Sequence, residues 1–226
     1  MTFLFPNISN VSKLSLNFRV AIFTFEPTMD NEQTYWTQRY KQERTGWDIG
    51  YPSTPLKTYI DQLTDKNIKI LIPGAGNAYE AEYLWKKGFH NLYVMDISPI
   101  PLNAFQARNP EFPTTHLLQE NFFEHQGQYD IIFEQTFFCS LVPTDKNRFA
   151  YAEQMACLLQ TNGKLVGVWF DIPLMDDMDK RPFGGDKELY LKYLTRYLKM
   201  IAFERCYNSI PPRQGNELFG IFGKKE

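Results

Sequence analysis

The sequence predicts an α/β fold, a doubly wound and mostly parallel sheet of about seven strands with one antiparallel edge strand. Three observations predict it. From Asp30 onward, short apolar runs alternate with helical patterns, and such alternation requires crossover helices on both faces of a parallel sheet. The last two apolar runs, 200–207 and 218–223, follow each other with no helix between, which calls for an antiparallel pairing. The first strong strand pattern runs directly into Gly-x-Gly and then into a helix.

The elements follow in order. Residues 30–43 read as a helix, with Trp36 and Tyr40 on one face at i, i+4. Thr54-Pro55 reads as a cap followed by a first-turn proline, and Leu56, Tyr59, Ile60 and Leu63 mark the helical face behind it. Residues 68–72, Ile-rich, form the first buried strand. Asn77 and Glu80 have capping-box spacing, and the helix they open stops at Gly88. Leu92–Met95 is the next strand, ending at Asp96, and a helix covers 99–108. Residues 116–119 and 129–134 are the third and fourth strands. Thr144 caps a helix whose stripe is Phe149, Ala152, Met155, Ala156 and Leu159. Residues 164–170 are the fifth strand, and 188–199 a helix with Leu189, Tyr193 and Tyr197 in register.

The chain has 226 residues, enough to bury one core without staples. At 43% hydrophobic and 22% charged it has the makeup of a globular domain. A net charge of −2 supplies no basic field, so nucleic acid is not an expected partner. Cys139, Cys157 and Cys206 are odd in number and widely spaced, which fits a reducing cytoplasm and argues against bound metal. No apolar run is long enough to span a membrane. No coiled-coil pattern or spare apolar helix face appears, so a monomer is expected. Residues 1–29 carry five Phe and few charges, interrupted by Pro6, Asn7 and Ser9. They read as a poor targeting segment, an extra strand or arm, or a dispensable and weakly packed extension preceding a single domain at 30–226; on the last reading a chain starting at Met29 is expected to keep its activity and solubility.

The chemistry concentrates at 70–80, Ile-Leu-Ile-Pro-Gly-Ala-Gly-Asn-Ala-Tyr-Glu. Gly74 and Gly76 allow a tight turn and close approach of a ligand to the backbone. A dinucleotide fingerprint would need a small residue where Tyr79 stands, which counts against NAD or FAD. Asp96, at the end of the second strand, can accept both hydroxyls of a ribose. Ribose recognition without a pyrophosphate turn fits S-adenosylmethionine.

Several segments then carry a specific resemblance. They are WTQRYKQERTGWDIG (36–50), ILIPGAGNAYEAEYL (70–84), VMDISP (94–99), ENFFE (120–124), YDIIFEQTFFCSLVP (129–143) and MACLLQTNGKLVGVWF (155–170). The sequence resembles the thiopurine S-methyltransferase family, especially its thiol and halide methyltransferase branch. The resemblance implies a Rossmann-like class I methyltransferase with an N-terminal lid helix, using S-adenosylmethionine. It implies that Trp36, Tyr40 and Trp47 close over the cofactor, offering π faces to its sulfonium. It further implies that Gly74 lines the methionine moiety, Asp96 the ribose, Asn121 and Phe122 the adenine, and that Gln135 lies under the cofactor. Tyr40 replaces a common Trp, Asn121 a common Asp and Ala75 a frequent Cys.

The implied reaction moves a methyl group to a small soft nucleophile, most simply a thiol or bisulfide, with halide also open. No dedicated base is required, because a thiol ionises near pH 8.5 unaided, and no catalytic residue is assigned. The expected acceptor wall is Phe137, Phe138, Phe170, Pro182 and Phe183, with one of Phe137 and Phe138 turned into the core because neighbours alternate. Asp48 beside Trp47 could orient the acceptor, assist a proton, or only cap its loop. Arg181 could attract an anion or lie solvated on the surface. Cys139 has no adjacent activating His and is not expected to act as a nucleophile. The competing class is a non-catalytic cofactor- or partner-binding module on the same fold.

Overall fold

The computed structural model describes residues 29–225 apart from 176 and 178–180; the expectation for the N-terminal extension lies outside the described residues. Six helices and seven strands follow in the order α1 (Met29–Lys41), α2 (Thr54–Ile60), β1 (Ile70–Ile72), α3 (Tyr79–Lys86), β2 (Leu92–Asp96), α4 (Pro99–Arg108), β3 (Leu117–Gln119), β4 (Tyr129–Gln135), α5 (Asp145–Leu158), β5 (Leu159–Phe170), α6 (Lys187–Tyr197), β6 (Leu198–Arg205) and β7 (Glu217–Lys224). None of the described helices is long and apolar enough to cross a membrane.

The strands form one sheet in the order β3-β2-β1-β4-β5-β7-β6. The first five run parallel. β7 is antiparallel to both β5 and β6, so the antiparallel strand is inserted between them and β6 forms the edge. In β1, period-two alternation divides the core. Ile70 and Ile72 pack with Leu56, Leu84 and Phe105 from α2, α3 and α4. Leu71 faces the opposite way, into the cluster of Tyr151 and Met155 from α5 and Tyr190 and Leu194 from α6.

The chain reverses its direction of winding between β1 and β4. In open α/β sheets a crevice opens at that point, beyond the carboxyl ends of the strands. The ends of β1 to β5 therefore deliver Gly74, Asp96, Asn121, Gln135 and Phe170 to one edge.

Several local expectations are corrected. Ser53, not Thr54, is the cap residue of α2, and its N–H donates to Glu80 Oε1 at 2.8 Å. The capping box at Asn77 and Glu80 does not form. Ala78 is the cap residue of α3, in the left-handed region at φ 56°, and gives no side-chain acceptor. Asn77 instead donates from Nδ2 to Asp48 Oδ2. The stripe of α5 is rotated: Arg148, Tyr151, Ala152, Met155 and Leu158 are buried. On α6 the buried residues are Tyr190, Tyr193 and Leu194. Arg148 hides the true stripe of α5 in the sequence, because its guanidinium is buried over the Phe138 ring, 5.0 Å from the centroid.

Candidate active site

The glycine turn is locked to its neighbouring strand. Gly74 and Gly76 have φ of 57° and 55°, a region costly for side chains that carry a Cβ. A Cβ at Gly74 would lie 2.3 Å from Phe137 Cδ2, and one at Gly76 would lie 2.9 Å from the Tyr40 hydroxyl oxygen. Glycine is thus required twice over at Gly74, by backbone and by space. The Gly76 N–H donates to Asp96 Oδ2 at 2.9 Å, while Ser98 N–H donates to Oδ1 at 2.8 Å. Burial pushes the Asp96 carboxyl up to about 6 despite these bonds.

The turn floors a cavity of about 290 Å³, close to the lower end for small-molecule sites. Its lining includes Trp36, Tyr40, Trp47, Gly74, Gly76, Asp96, Asn121, Phe122 and Gln135, the whole set expected to face a cofactor. Trp47 stands edge-on to both Trp36 and Tyr40, with centroids 5.4 and 5.8 Å away. Burial, then the nearby Asp96 charge, pushes the Tyr40 phenol up, so it stays a neutral donor. Asn121 Oδ1 accepts the Phe123 N–H at 3.1 Å, which fixes its side chain at the cavity wall. Gln135 Oε1 is buried without a hydrogen-bond partner among the described residues. An unpartnered buried acceptor costs stability unless a ligand satisfies it.

Of the expected acceptor wall, Asp48, Phe137, Phe170 and Pro182 line the cavity. Phe138 and Phe183 do not. Both are fully buried, and Phe138 packs edge-on against Tyr151 and Tyr190. The separation of Phe137 from Phe138 is made by Glu134. Its Oε1 accepts the N–H groups of Phe137 at 2.6 Å and Phe138 at 3.3 Å, and its Oε2 accepts the Tyr151 hydroxyl at 2.7 Å. Burial pushes this carboxyl up to about 7. Thr136 completes the bend at φ 57°, an uncommon value for a β-branched residue.

Asp48 takes its capping role: Oδ1 accepts the Gly50 N–H at 2.8 Å, and Oδ2 accepts from Asn77 and, at 3.4 Å, from the Tyr79 hydroxyl. Burial holds the Cys139 thiol well above its ordinary range, and its Sγ donates to Thr136 O at 2.9 Å. Arg181 is not a surface residue; it is buried at the cavity edge and paired with Glu32. Sequence reasoning misses Glu32 and Glu134 as site residues. Glu32 is findable, since 32, 36 and 40 share one helical face. Glu134 carries no signal beyond being an acid inside an apolar strand.

A family model described as thiopurine S-methyltransferase matches residues 31–226. A probable thiol methyltransferase 2 of Arabidopsis thaliana is 26% identical over 205 residues, covering 86% of this chain and 87% of that protein. A thiocyanate methyltransferase 1 of the same plant is 26% identical over 200 residues, covering 85% and 86%. Among solved structures, a TehB-like SAM-dependent methyltransferase from Corynebacterium glutamicum superimposes with a TM-score of 0.58 at 20% identity, over 88% of this chain and all of that one. That likeness establishes the shared fold.

Proposed function

The chain belongs to the thiopurine S-methyltransferase family of S-adenosylmethionine-dependent methyltransferases, and from that premise we propose that it methylates a small soft sulfur nucleophile, a thiol or bisulfide. S-adenosylmethionine, when bound, supplies an electrophilic methyl group on a sulfonium. The residues present fit such a ligand. Asp96 offers a buried carboxylate to ribose hydroxyls, and the Gly74–Gly76 turn lets the backbone approach closely. Gln135 offers an acceptor that nothing else satisfies among the described residues. Asn121 and Phe122 are assigned to the adenine side.

The rings of Trp36, Tyr40 and Trp47 are assigned to cover the ligand, excluding water and presenting negative π faces to positive charge. Phe137, Phe170 and Pro182 then form an apolar wall for the acceptor. When an anionic nucleophile meets a cation, charge disappears on the way to the transition state. A dry, aromatic site favours that change because it solvates separated charges poorly. The wall also aligns the reacting atoms, which contributes through proximity and orientation.

One observation carries the choice of acceptor. No histidine or lysine is among the described residues lining the cleft, and Asp48 is occupied by its loop contacts. This favours an acceptor that arrives as an anion or ionises unaided, which a thiol or bisulfide does near neutrality. The Arabidopsis relatives, one a probable thiol methyltransferase and one a thiocyanate methyltransferase, support the same class. Cys139, Cys157 and Cys206 are free thiols, which supports a reducing, cytoplasmic setting.

The test is a turnover panel. Purified protein with S-adenosylmethionine is given bisulfide, a small alkyl thiol, an aromatic thiol, iodide or thiocyanate, and both S-adenosylhomocysteine and methylated product are quantified. Turnover greatest with bisulfide or the alkyl thiol supports the proposal. Turnover confined to iodide overturns the sulfur assignment, turnover confined to thiocyanate overturns the choice of thiol or bisulfide, and cofactor binding with no turnover favours a binding module.

A further inference from the structure

Helix α1 forms one wall of the cleft, yet among residues 31–41 no side chain is fully buried. A helix whose residues are all at least partly exposed opens at lower cost than a core element. Among the described residues, its contacts include the following. Thr37 Oγ1 meets Ser98 Oγ at 3.1 Å, at the start of α4. Trp36 and Tyr40 lean on Trp47. The third is an ion pair between elements far apart in sequence: Arg181 Nη1 donates to Glu32 Oε2 at 2.7 Å and Nη2 to Oε1 at 2.9 Å.

The two partners are unlike. The Arg181 side chain is 4% exposed, while that of Glu32 is 26% exposed. Arg181 is clamped by aromatic rings, 4.3 Å from the Tyr35 centroid and 5.3 Å from that of Trp36, both on α1, and 5.4 Å from that of Phe183. Phe183 is in turn fixed to the body, its N–H donating to Cys139 O at 2.8 Å. Arg181, in the loop after β5, is thus tied through Phe183 to the end of β4 and grips the first turns of α1. A planar bidentate pair is directional, so it sets both the position and the tilt of the helix. Glu32 and Arg181 both line the cleft, so whatever enters beneath α1 passes this pair.

We propose that Arg181 is a positioning residue of the site: through Glu32 it latches α1 over the cleft and slows release of the bound adenosyl ligand. This rests on the reading of the cleft as an S-adenosylmethionine site. Arg181 touches neither the glycine turn nor Asp96 in this role; it acts through the Trp36 and Tyr40 rings that α1 carries.

The experiment measures S-adenosylhomocysteine release by stopped-flow tryptophan fluorescence in the full chain. Its variants are Glu32→Gln, Arg181→Met, Arg181→Lys and the charge reversal Glu32→Arg with Arg181→Glu. Each neutralising change is expected to speed release about tenfold, within the usual range of coupling between two sites. Arg181→Lys keeps charge without the bidentate fork and is expected to fall between. The reversal is expected to be slower than either neutralised variant. A fold-wide effect would not produce that rescue. Release rates unchanged in both neutralised variants, or a reversal with losses that simply add, would overturn the proposal. If a variant melts early, hydrogen exchange at 29–41 in Arg181→Lys decides the matter: faster exchange confined to that helix supports the latch, and unchanged exchange overturns it. Wild-type protein that fails to bind S-adenosylhomocysteine overturns the cofactor reading itself and the latch with it. Wild-type binding with unaltered variants overturns the latch alone.

Discussion

Asp96 and Gly76 are joined by a 2.9 Å hydrogen bond from the glycine N–H to the carboxylate, so the end of β2 holds the turn that follows β1. The carboxylate is therefore both a structural tie and the proposed ribose acceptor. Asp96→Ala is expected to weaken S-adenosylhomocysteine binding by roughly 1–3 kcal/mol, the usual cost of losing hydrogen bonds to a charged group. Calorimetry checks it, and unchanged affinity would remove Asp96 from the ribose site.

The same carboxyl gives a pH dependence. In the free protein it is pushed up to about 6, and hydroxyl donors favour its ionised form. Affinity should level off above pH 6 and fall below it, by up to about tenfold per pH unit. Calorimetry from pH 5 to 8 on wild type reads this directly, and a flat profile contradicts the assignment.

Glycine at position 74 can be separated into its two requirements. Gly74→Ala meets both a positive φ, costing about 1–2 kcal/mol, and the Phe137 ring. Gly88 has φ 89° with nothing within 4 Å of the position a Cβ would take, so Gly88→Ala meets only the backbone cost. Both variants should lose comparable stability from φ, but only Gly74→Ala should lose ligand affinity, by more than about tenfold. Equal affinities would show that the Phe137 contact does not shape the site.

Much of this is legible in the sequence because it rests on local rules. Thr144 caps α5 through its hydroxyl, as its residue type and position suggest. Ile70, Leu71 and Ile72 reveal a buried strand by composition alone. The failures lie where tertiary contacts override local pattern. Asn77 has cap spacing but is drawn to Asp48, which is 29 residues distant in the chain. Phe137 and Phe138 are chemically identical, and only the Glu134 bonds and the positive φ of Thr136 decide which ring enters the cleft. Arg181 reads as a surface charge because its partner and stacking rings come from a helix 149 residues away.

Glu134 should make stability fall as pH rises. Its ordinary carboxyl value is 4.5, and in the folded chain burial pushes it up to about 7. The folded state therefore binds the proton more tightly than the unfolded state. The stabilising contribution is complete below pH 4.5, declines between 4.5 and 7, and is gone above 7, a change of about 3 kcal/mol. Glu134→Gln can keep the same contacts, its oxygen accepting from Phe137 and Phe138 and its amide donating to the Tyr151 oxygen. The variant should melt higher than wild type at pH 8.5 and close to it at pH 5. Equal melting at both would show that the charge is not the destabilising element.

The final prediction concerns the missing base. If the acceptor ionises unaided, the rate at fixed total thiol should follow the thiolate fraction, rising tenfold per pH unit below the thiol pKa and levelling above it. Two thiols of different pKa should then give two profiles displaced by that difference, since the inflection belongs to the substrate. An enzyme base would give one inflection common to both. Asp48, which lines the cleft, is one candidate for such a base, and removal of a true general base costs about 10²–10⁴ in rate. Asp48→Asn should cost far less, because Asp48 already spends its oxygens on Gly50, Asn77 and Tyr79, and an asparagine oxygen can still cap the Gly50 N–H. A loss beyond a hundredfold, together with a substrate-independent inflection, would assign proton removal to Asp48 and show that the acceptor is not self-ionising.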